Sequence, residues 1–173
     1  MHLAPQKSVY TSSITTNQFG ESSVEISSHR VHAGRRIYFI DLKQEKDKGE
    51  LFLKIKEKSN QKKSVILMEL SKIPSVIESL KEAFGPHPYS KTPDSYAKIS
   101  STTFENKSLE IFARENKEGQ YLILKESYDK GVRAGNTTQI MIAIEYLRQF
   151  VSTLEIILTE WNDESITKPP CKN

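Results

Sequence analysis

Twice along this chain four short β-like segments end in one helix-like segment, and that repeated order constrains the fold more than any other feature. In the first copy the extended pieces are Val24 to Val31, Arg35 to Gln44, Leu51 to Lys58 and Ser64 to Leu70. They are rich in Val, Ile, Tyr and Phe, and turn residues such as Ala33-Gly34 and Asp47-Lys48-Gly49 separate them. From Ser71 to Phe84 the residues Ile73, Val76, Ile77, Leu80 and Phe84 recur at helical spacing. Ser71 or a neighbour is expected to cap that helix, Pro74 suits its first turn, and Gly85-Pro86 stops it. The second copy runs through Tyr96 to Phe104, Lys107 to Arg114, Gln120 to Ser127 and Thr137 to Ile144. Its helix carries Ile144, Leu147, Val151, Leu154, Leu158 and Trp161 on one stripe.

The copies also agree residue by residue: Lys43 with Arg114, Gly49 with Gly119, Phe52-Leu53 with Tyr121-Leu122, and Lys56-Glu57 with Lys125-Glu126. Two repeats of about seventy residues are too few for a stacked solenoid. A unit of about sixty residues is marginal alone, so pairing has a physical reason, a larger shared core. The expected fold is α+β, two β-β-β-β-α repeats packed together. A Ser/Thr-rich flexible arm is expected over 1–23, the repeats over 24–85 and 95–162, a proline-rich connector over 86–94, and a tail over 163–173. An intramolecular pair and a swapped homodimer share this strand pattern, so both stay open.

Several function classes drop out. No stretch approaches the roughly 20 apolar residues of a membrane helix, and no apolar run follows the start, so an intracellular protein without a membrane partner is expected. That means nucleus and cytoplasm in a eukaryote, cytoplasm in a bacterium. The one cysteine, Cys171, reads as an inert tail thiol, and His2, His29, His32 and His87 are too scattered for a metal site. A Gly-rich phosphate loop, a nucleophile elbow and a His-Glu-x-x-His helix are all missing, so neither catalytic residues nor a cofactor is expected. Asp41 and Glu57 are the one carboxylate pair a hydrolase could use, but ion pairs with neighbouring Lys and Arg suit them better.

Side chains alternate along a strand, which splits each into a core face and an outer face. Tyr38, Ile40 and Leu42 go inward with Leu51, Leu53 and Ile55, leaving Phe39, Asp41, Lys43, Phe52, Lys54 and Lys56 outward. In the second copy Leu109, Ile111, Ala113, Leu122 and Leu124 go inward, leaving Phe112, Arg114, Tyr121 and Lys125 outward. Aromatic rings flanked by cations suit unpaired nucleic acid, because a base stacks on the ring while cations follow the phosphates. Asn60, Gln61, Asn136 and Gln139 near strand ends could read base edges. Alternation alone also permits Phe39, Phe52, Phe112 and Tyr121 to bury in a seam between the sheets. The net charge of +3 hides an asymmetry: residues 30–63 carry eleven bases against five acids, whereas residues 104–163 carry seven against ten.

Three linked motifs of the first copy resemble the PUR repeat of the purine-rich-element-binding family. They are Ser28-His29-Arg30-Val31, Arg36-Ile37-Tyr38-Phe39-Ile40-Asp41-Leu42-Lys43, and Phe52-Leu53-Lys54-Ile55-Lys56-Glu57 after Gly49. The family pattern runs Ser-Lys-Arg-Val, Arg-x-Tyr/Phe-x-x-Asp-Val-Lys and Tyr/Phe-Leu-x-Ile-x-Glu. The resemblance implies a whirly-like fold in which two repeats intertwine into one PUR domain. It also implies binding of purine-rich single-stranded DNA and RNA, with a role in transcriptional or RNA regulation. Arg36, Phe39, Lys43, Phe52, Lys54 and Lys56 carry over as nucleic-acid candidates of repeat one, and Arg30 and Arg35 join them through the basic cluster. Lys107, Arg114, Tyr121 and Lys125 keep their type in repeat two, while Phe112 replaces the motif Asp and His29 replaces its Lys. The competing class is an oligomerising protein-interaction scaffold that does not bind nucleic acid.

Overall fold

Strand alternation and two amphipathic helices build the layers of the computed structural model, which describes residues 14–16, 22–60, 62–85, 97–104, 107–128 and 137–167. The first sheet has the order β1 (Ile14–Thr16), β2 (Ser22–Ala33), β3 (Arg36–Glu45), β4 (Leu51–Lys58) and β5 (Lys63–Glu69). A 3-10 turn, Leu70–Lys72, leads into α1 (Ile73–Glu82). The second sheet has the order β6 (Ala97–Thr103), β7 (Lys107–Asn116), β8 (Gly119–Tyr128) and β9 (Thr137–Ala143), followed by α2 (Ile144–Thr167). Every pairing is antiparallel. Counted from β2, the β-β-β-β-α order therefore appears twice, as the periodicity indicates, with β1 added at the edge of the first sheet.

Boundaries differ in instructive ways. β1 and the first residues of β2 lie inside the stretch expected to be a flexible arm, because the edge of β2 offers Ile14–Thr16 a ladder. At the other end α2 runs to Thr167, past Asp163 where the apolar stripe stops. Once a helix is nucleated, each further residue adds a hydrogen bond at little cost, so it outlasts its own apolar pattern. Ser71 makes no cap: α1 starts without a side-chain cap bond, with Pro74 in its first turn, and the 3-10 turn feeds straight into it. The expected connector 86–94 lies outside the described residues.

Both repeats open with a bulged strand. The register slips between Glu25 and Ser27 in β2 and between Lys98 and Ser100 in β6, and such slips bend and twist a strand. The curved sheets close over one continuous apolar core. Tyr38, Ile40, Leu53, Ile55 and Ile66 come from the first sheet, Leu109, Ile111, Leu122 and Ile140 from the second. Ile73, Val76, Ile77 and Leu80 of α1 and Leu147, Phe150, Val151, Leu154 and Ile157 of α2 complete it. Each helix lies against the first strand of the other repeat, α1 on β6 and α2 on β2. The Tyr38 and Phe150 rings meet edge to face, 5.4 Å between centroids, which ties β3 of repeat one to α2 of repeat two.

Strands β5 and β9 meet in the seam, where side chains of the opposite repeat satisfy their outward peptide groups. Met141 N–H of β9 donates to Glu57 Oε2 of β4 at 2.7 Å, and Tyr38 Oη donates to the Met141 carbonyl. Arg36 stands beside this carboxylate, its Nε 3.6 Å from Glu57 Oε1. The mirror arrangement serves β5. Leu67 N–H donates to Glu126 Oε2 at 3.2 Å, while Lys107 Nζ donates to the Leu67 carbonyl and to the same Glu126 oxygen at 3.0 Å. Glu57 and Glu126, paired in the sequence comparison, thus do the same task across the pseudo-symmetric seam.

Removing Glu126 would orphan the Leu67 N–H and leave the mostly buried Lys107 uncompensated. Glu126→Ala should cost about 3–5 kcal/mol, the usual scale for breaking one half of a buried ion pair, as read by urea denaturation. Burial pushes the Glu57 carboxyl above its ordinary value of 4.5, against the opposing pull of the Met141 N–H and of Arg36 and Lys62. The unfolded chain loses this proton first as pH rises, so unfolding releases a proton and higher pH favours it. Relative to Glu57→Gln, which keeps an acceptor for Met141, the wild-type protein should lose thermal stability as pH climbs from 4.5 towards neutrality. Parallel Tm profiles would contradict this.

Candidate nucleic-acid interface

The faces turned away from the helices carry most of the sequence candidates. On the first sheet the cross-strand registers place Arg30, Phe39, Lys56 and Val65 in one row. Ser28, Asp41, Lys54 and Leu67 form the next, and Glu25, Lys43, Phe52 and Glu69 the one beyond. Phe39 and Phe52 are half-buried and outside the apolar core, so they do not fill the seam between the sheets. Phe112 and Tyr121 are placed likewise on the second sheet. The seam is built from other side chains, chiefly Arg36, Tyr38, Glu57, Lys107 and Glu126.

Phe39 is the centre of the first face. Arg30 Cζ lies 5.2 Å and Lys56 Nζ 4.7 Å from its ring centroid. Cations over an aromatic ring are held by its quadrupole without being neutralised, so they remain available to an anion. One row away Asp41 accepts the Ser28 hydroxyl at 2.6 Å and stands in register with Lys54. Asp41 is thus engaged with a hydroxyl rather than with the Lys or Arg expected of it, whereas Glu57 does stand beside Arg36.

Lys43 is the least accessible cation here, 4 % exposed although it lies on the outer side of β3. Burial lowers its pKa, Lys54 lowers it further, and Asp41 and Glu25 oppose them. Burial and Asp41 in turn raise Glu25. The cluster is a compact charge-balanced patch beside Phe52 rather than a row of open phosphate contacts.

Two candidates turn away from the outer faces. Arg36 shares parity with Tyr38 and Ile40, and Lys107 shares parity with Leu109 and Ile111, so both side chains turn to the core side. Arg36 meets Glu57 and the Met141 Sδ there, and Lys107 meets Glu126 with the Phe104 and Tyr128 rings around its ammonium. Arg35 is exposed in the β2–β3 turn, where Gly34 takes a left-handed φ of 63°.

On the second sheet Lys98, Phe112, Ile123 and Met141 share a row, Ser101, Glu110, Lys125 and Gln139 the next, and Arg114 pairs with Tyr121. Lys98 bridges to Glu110 at 2.6 Å. The outer face therefore carries Lys98, Arg114 and Lys125 against Glu110, although the repeat as a whole is acidic. Its surplus acids lie elsewhere, Glu145, Glu155 and Glu160 on α2 and Glu118 in a turn. Lys98 and, on the first sheet, Lys58 and Lys63 also stand on the outer faces; the sequence reading singles out none of them, although Lys58 and Lys63 fall within its basic stretch 30–63. Their parity was the available signal. Of the base-edge candidates, Gln139 is half-buried beside Lys125 and Asn60 is exposed in the β4–β5 turn, while Gln61 and Asn136 lie outside the described residues.

Among the described residues no helix is long and apolar enough to cross a membrane. The family model described as PurA ssDNA and RNA-binding protein matches residues 23–172 of the chain. None of the curated proteins compared with the chain matches it.

The charge cluster makes its own expectation. By carbon-13 NMR of the lysine ε-carbons, Lys43 should titrate below the ordinary 10.5, and Glu25→Gln should lower it further by removing an opposing negative charge. A Lys43 midpoint unchanged by that substitution would contradict the cluster.

Proposed function

The chain belongs to the PurA family of single-stranded DNA- and RNA-binding proteins, and from that membership we propose that it binds purine-rich single strands on the outer faces of its two sheets. The observation that carries the proposal is the Arg30, Phe39 and Lys56 row, an aromatic ring with two cations above it, next to Lys54. A base stacking on Phe39 would free those cations to reach the flanking phosphates. Stacking is worth about 1–3 kcal/mol per base, and purines offer the larger π-surface, which supports a purine bias. Phe52, three residues beyond the β3–β4 turn at Gly49, offers a second ring on the same face. Arg114, Tyr121 and Lys125 offer a weaker equivalent on the second sheet.

The swapped helix contacts support the reading that the repeats intertwine into one whirly-like PUR domain, since neither helix covers its own sheet alone. Nothing in this chemistry calls for catalysis; the protein acts by occupying single strands, in transcriptional or RNA regulation within the cell. A homodimer would multiply the faces without altering them.

Fluorescence anisotropy with labelled GGN-type, pyrimidine-rich and duplex probes at two salt concentrations tests the proposal. The purine-rich single strand should bind tightest, with affinity falling steeply in salt as phosphate counterions are released. Phe39→Ala should weaken it by about 1–3 kcal/mol. Absence of binding at low salt, or equal binding by Phe39→Ala and Lys54→Ala, would overturn it.

A further inference from the structure

The first sheet extends one row beyond Phe39, and that row holds His32, Ile37, Lys58 and Lys63. Lys58 ends β4, Lys63 begins β5, and the two are direct cross-strand partners on the outer face. Both are exposed, as are Lys62 in the β4–β5 turn and Arg35 in the β2–β3 turn at the same end of the sheet. Among the described residues neither Lys58 nor Lys63 has an ion-pair partner. Directly opposed side chains start only about 5 Å apart at Cβ, and like charges so placed destabilise a strand pair. Among the described residues nothing offsets this repulsion. A ligand that brings negative charge would turn the repulsion into attraction.

The position says which polyanion fits. Rows on one face of a strand follow each other every two residues, about 7 Å, so this row adjoins the Arg30, Phe39 and Lys56 row. Moving the other way along the sheet, the surface becomes balanced by Asp41 and then by Glu25 and Glu69. The cationic field thus rises towards the hairpin end in one direction only.

We propose that Lys58 and Lys63, with Lys62 and Arg35 beside them, form a phosphate clamp that holds the backbone of the bound single strand where it leaves Phe39. The proposal rests on the reading that single strands occupy this sheet. It adds a directional exit for the strand and assigns residues that the repeat motifs do not contain. The ligand class is the phosphodiester backbone, so the clamp contributes affinity and register without reading bases.

Lys63→Glu separates this role from a structural one. It replaces a repelling pair by an attracting one, so Tm should rise by about 1–4 °C. The same protein should bind a purine-rich 20-mer more weakly than wild type, by anisotropy at low salt. The plot of log affinity against log salt should flatten by about 0.7 or more, the share of one phosphate contact on a single strand. The milder Lys58→Ser and Lys63→Ser variants should each flatten it by about 0.7. They decide the matter if Lys63→Glu fails to fold. Wild-type affinity and slope in the folded variants would overturn the clamp while leaving Phe39-dependent binding intact. Failure of the wild-type protein to bind any single strand would instead overturn the underlying reading.

Discussion

Burying a sheet edge obliges its peptide groups to find partners away from water, and in this protein that obligation falls on β5 and β9 at the seam between the repeats. Glu57 and Tyr38 serve Met141, and Glu126 and Lys107 serve Leu67, each set reaching from the opposite repeat. A carboxylate accepts an N–H that no neighbouring strand can reach, and a phenol or ammonium covers the carbonyl. Apolar contact alone could join two faces in many registers. These paired bonds admit one, because shifting either sheet by a residue would strand both a peptide group and a charge.

The seam also frees the opposite faces. With helices covering one side of each sheet and the seam consuming Arg36 and Lys107, the remaining outward positions hold rings and cations that the core does not need. A bulge bends the first strand of each repeat, opposite Leu42 and Lys43 in β2 and opposite Ile111 and Phe112 in β6, so duplication extends to curvature as well as to element order. The repeats diverge in what their outer faces carry. The first ends in opposed lysines, whereas the corresponding second-sheet row, Thr103, Ser108, Ser127 and Thr137, is uncharged. The outer face of the first repeat is therefore charged at an end where that of the second is neutral.

Much of this was legible in the chain. Period-two alternation assigned Tyr38, Ile40, Leu53 and Ile55 to the core and Phe39 and Lys56 to the outside, because the face of a strand residue is a local property. Helical spacing located α1 and α2, though Phe150 and Ile157, buried from a wider stripe, escaped it. Arg36 and Lys107 entered the candidates by charge and motif, not by face. Their parity with Tyr38 and Leu109 already pointed inward. Lys43 shows the converse, outward by parity yet buried, beside Asp41 of its own strand and Glu25, which comes opposite it only when β2 and β3 pair.

By itself the sequence determined the duplicated element order, the two faces of each strand and the aromatic and basic character of the first outer face. These follow from periodicities that need no distant residue. Tertiary structure alone decided which charges are consumed in holding the repeats together, because the groups they satisfy are peptide bonds at Leu67 and Met141, far away in the chain and silent in its letters. It likewise decided that the acidic excess of repeat two lies off its outer face, since net charge is a sum over residues and an interface is a selection among them.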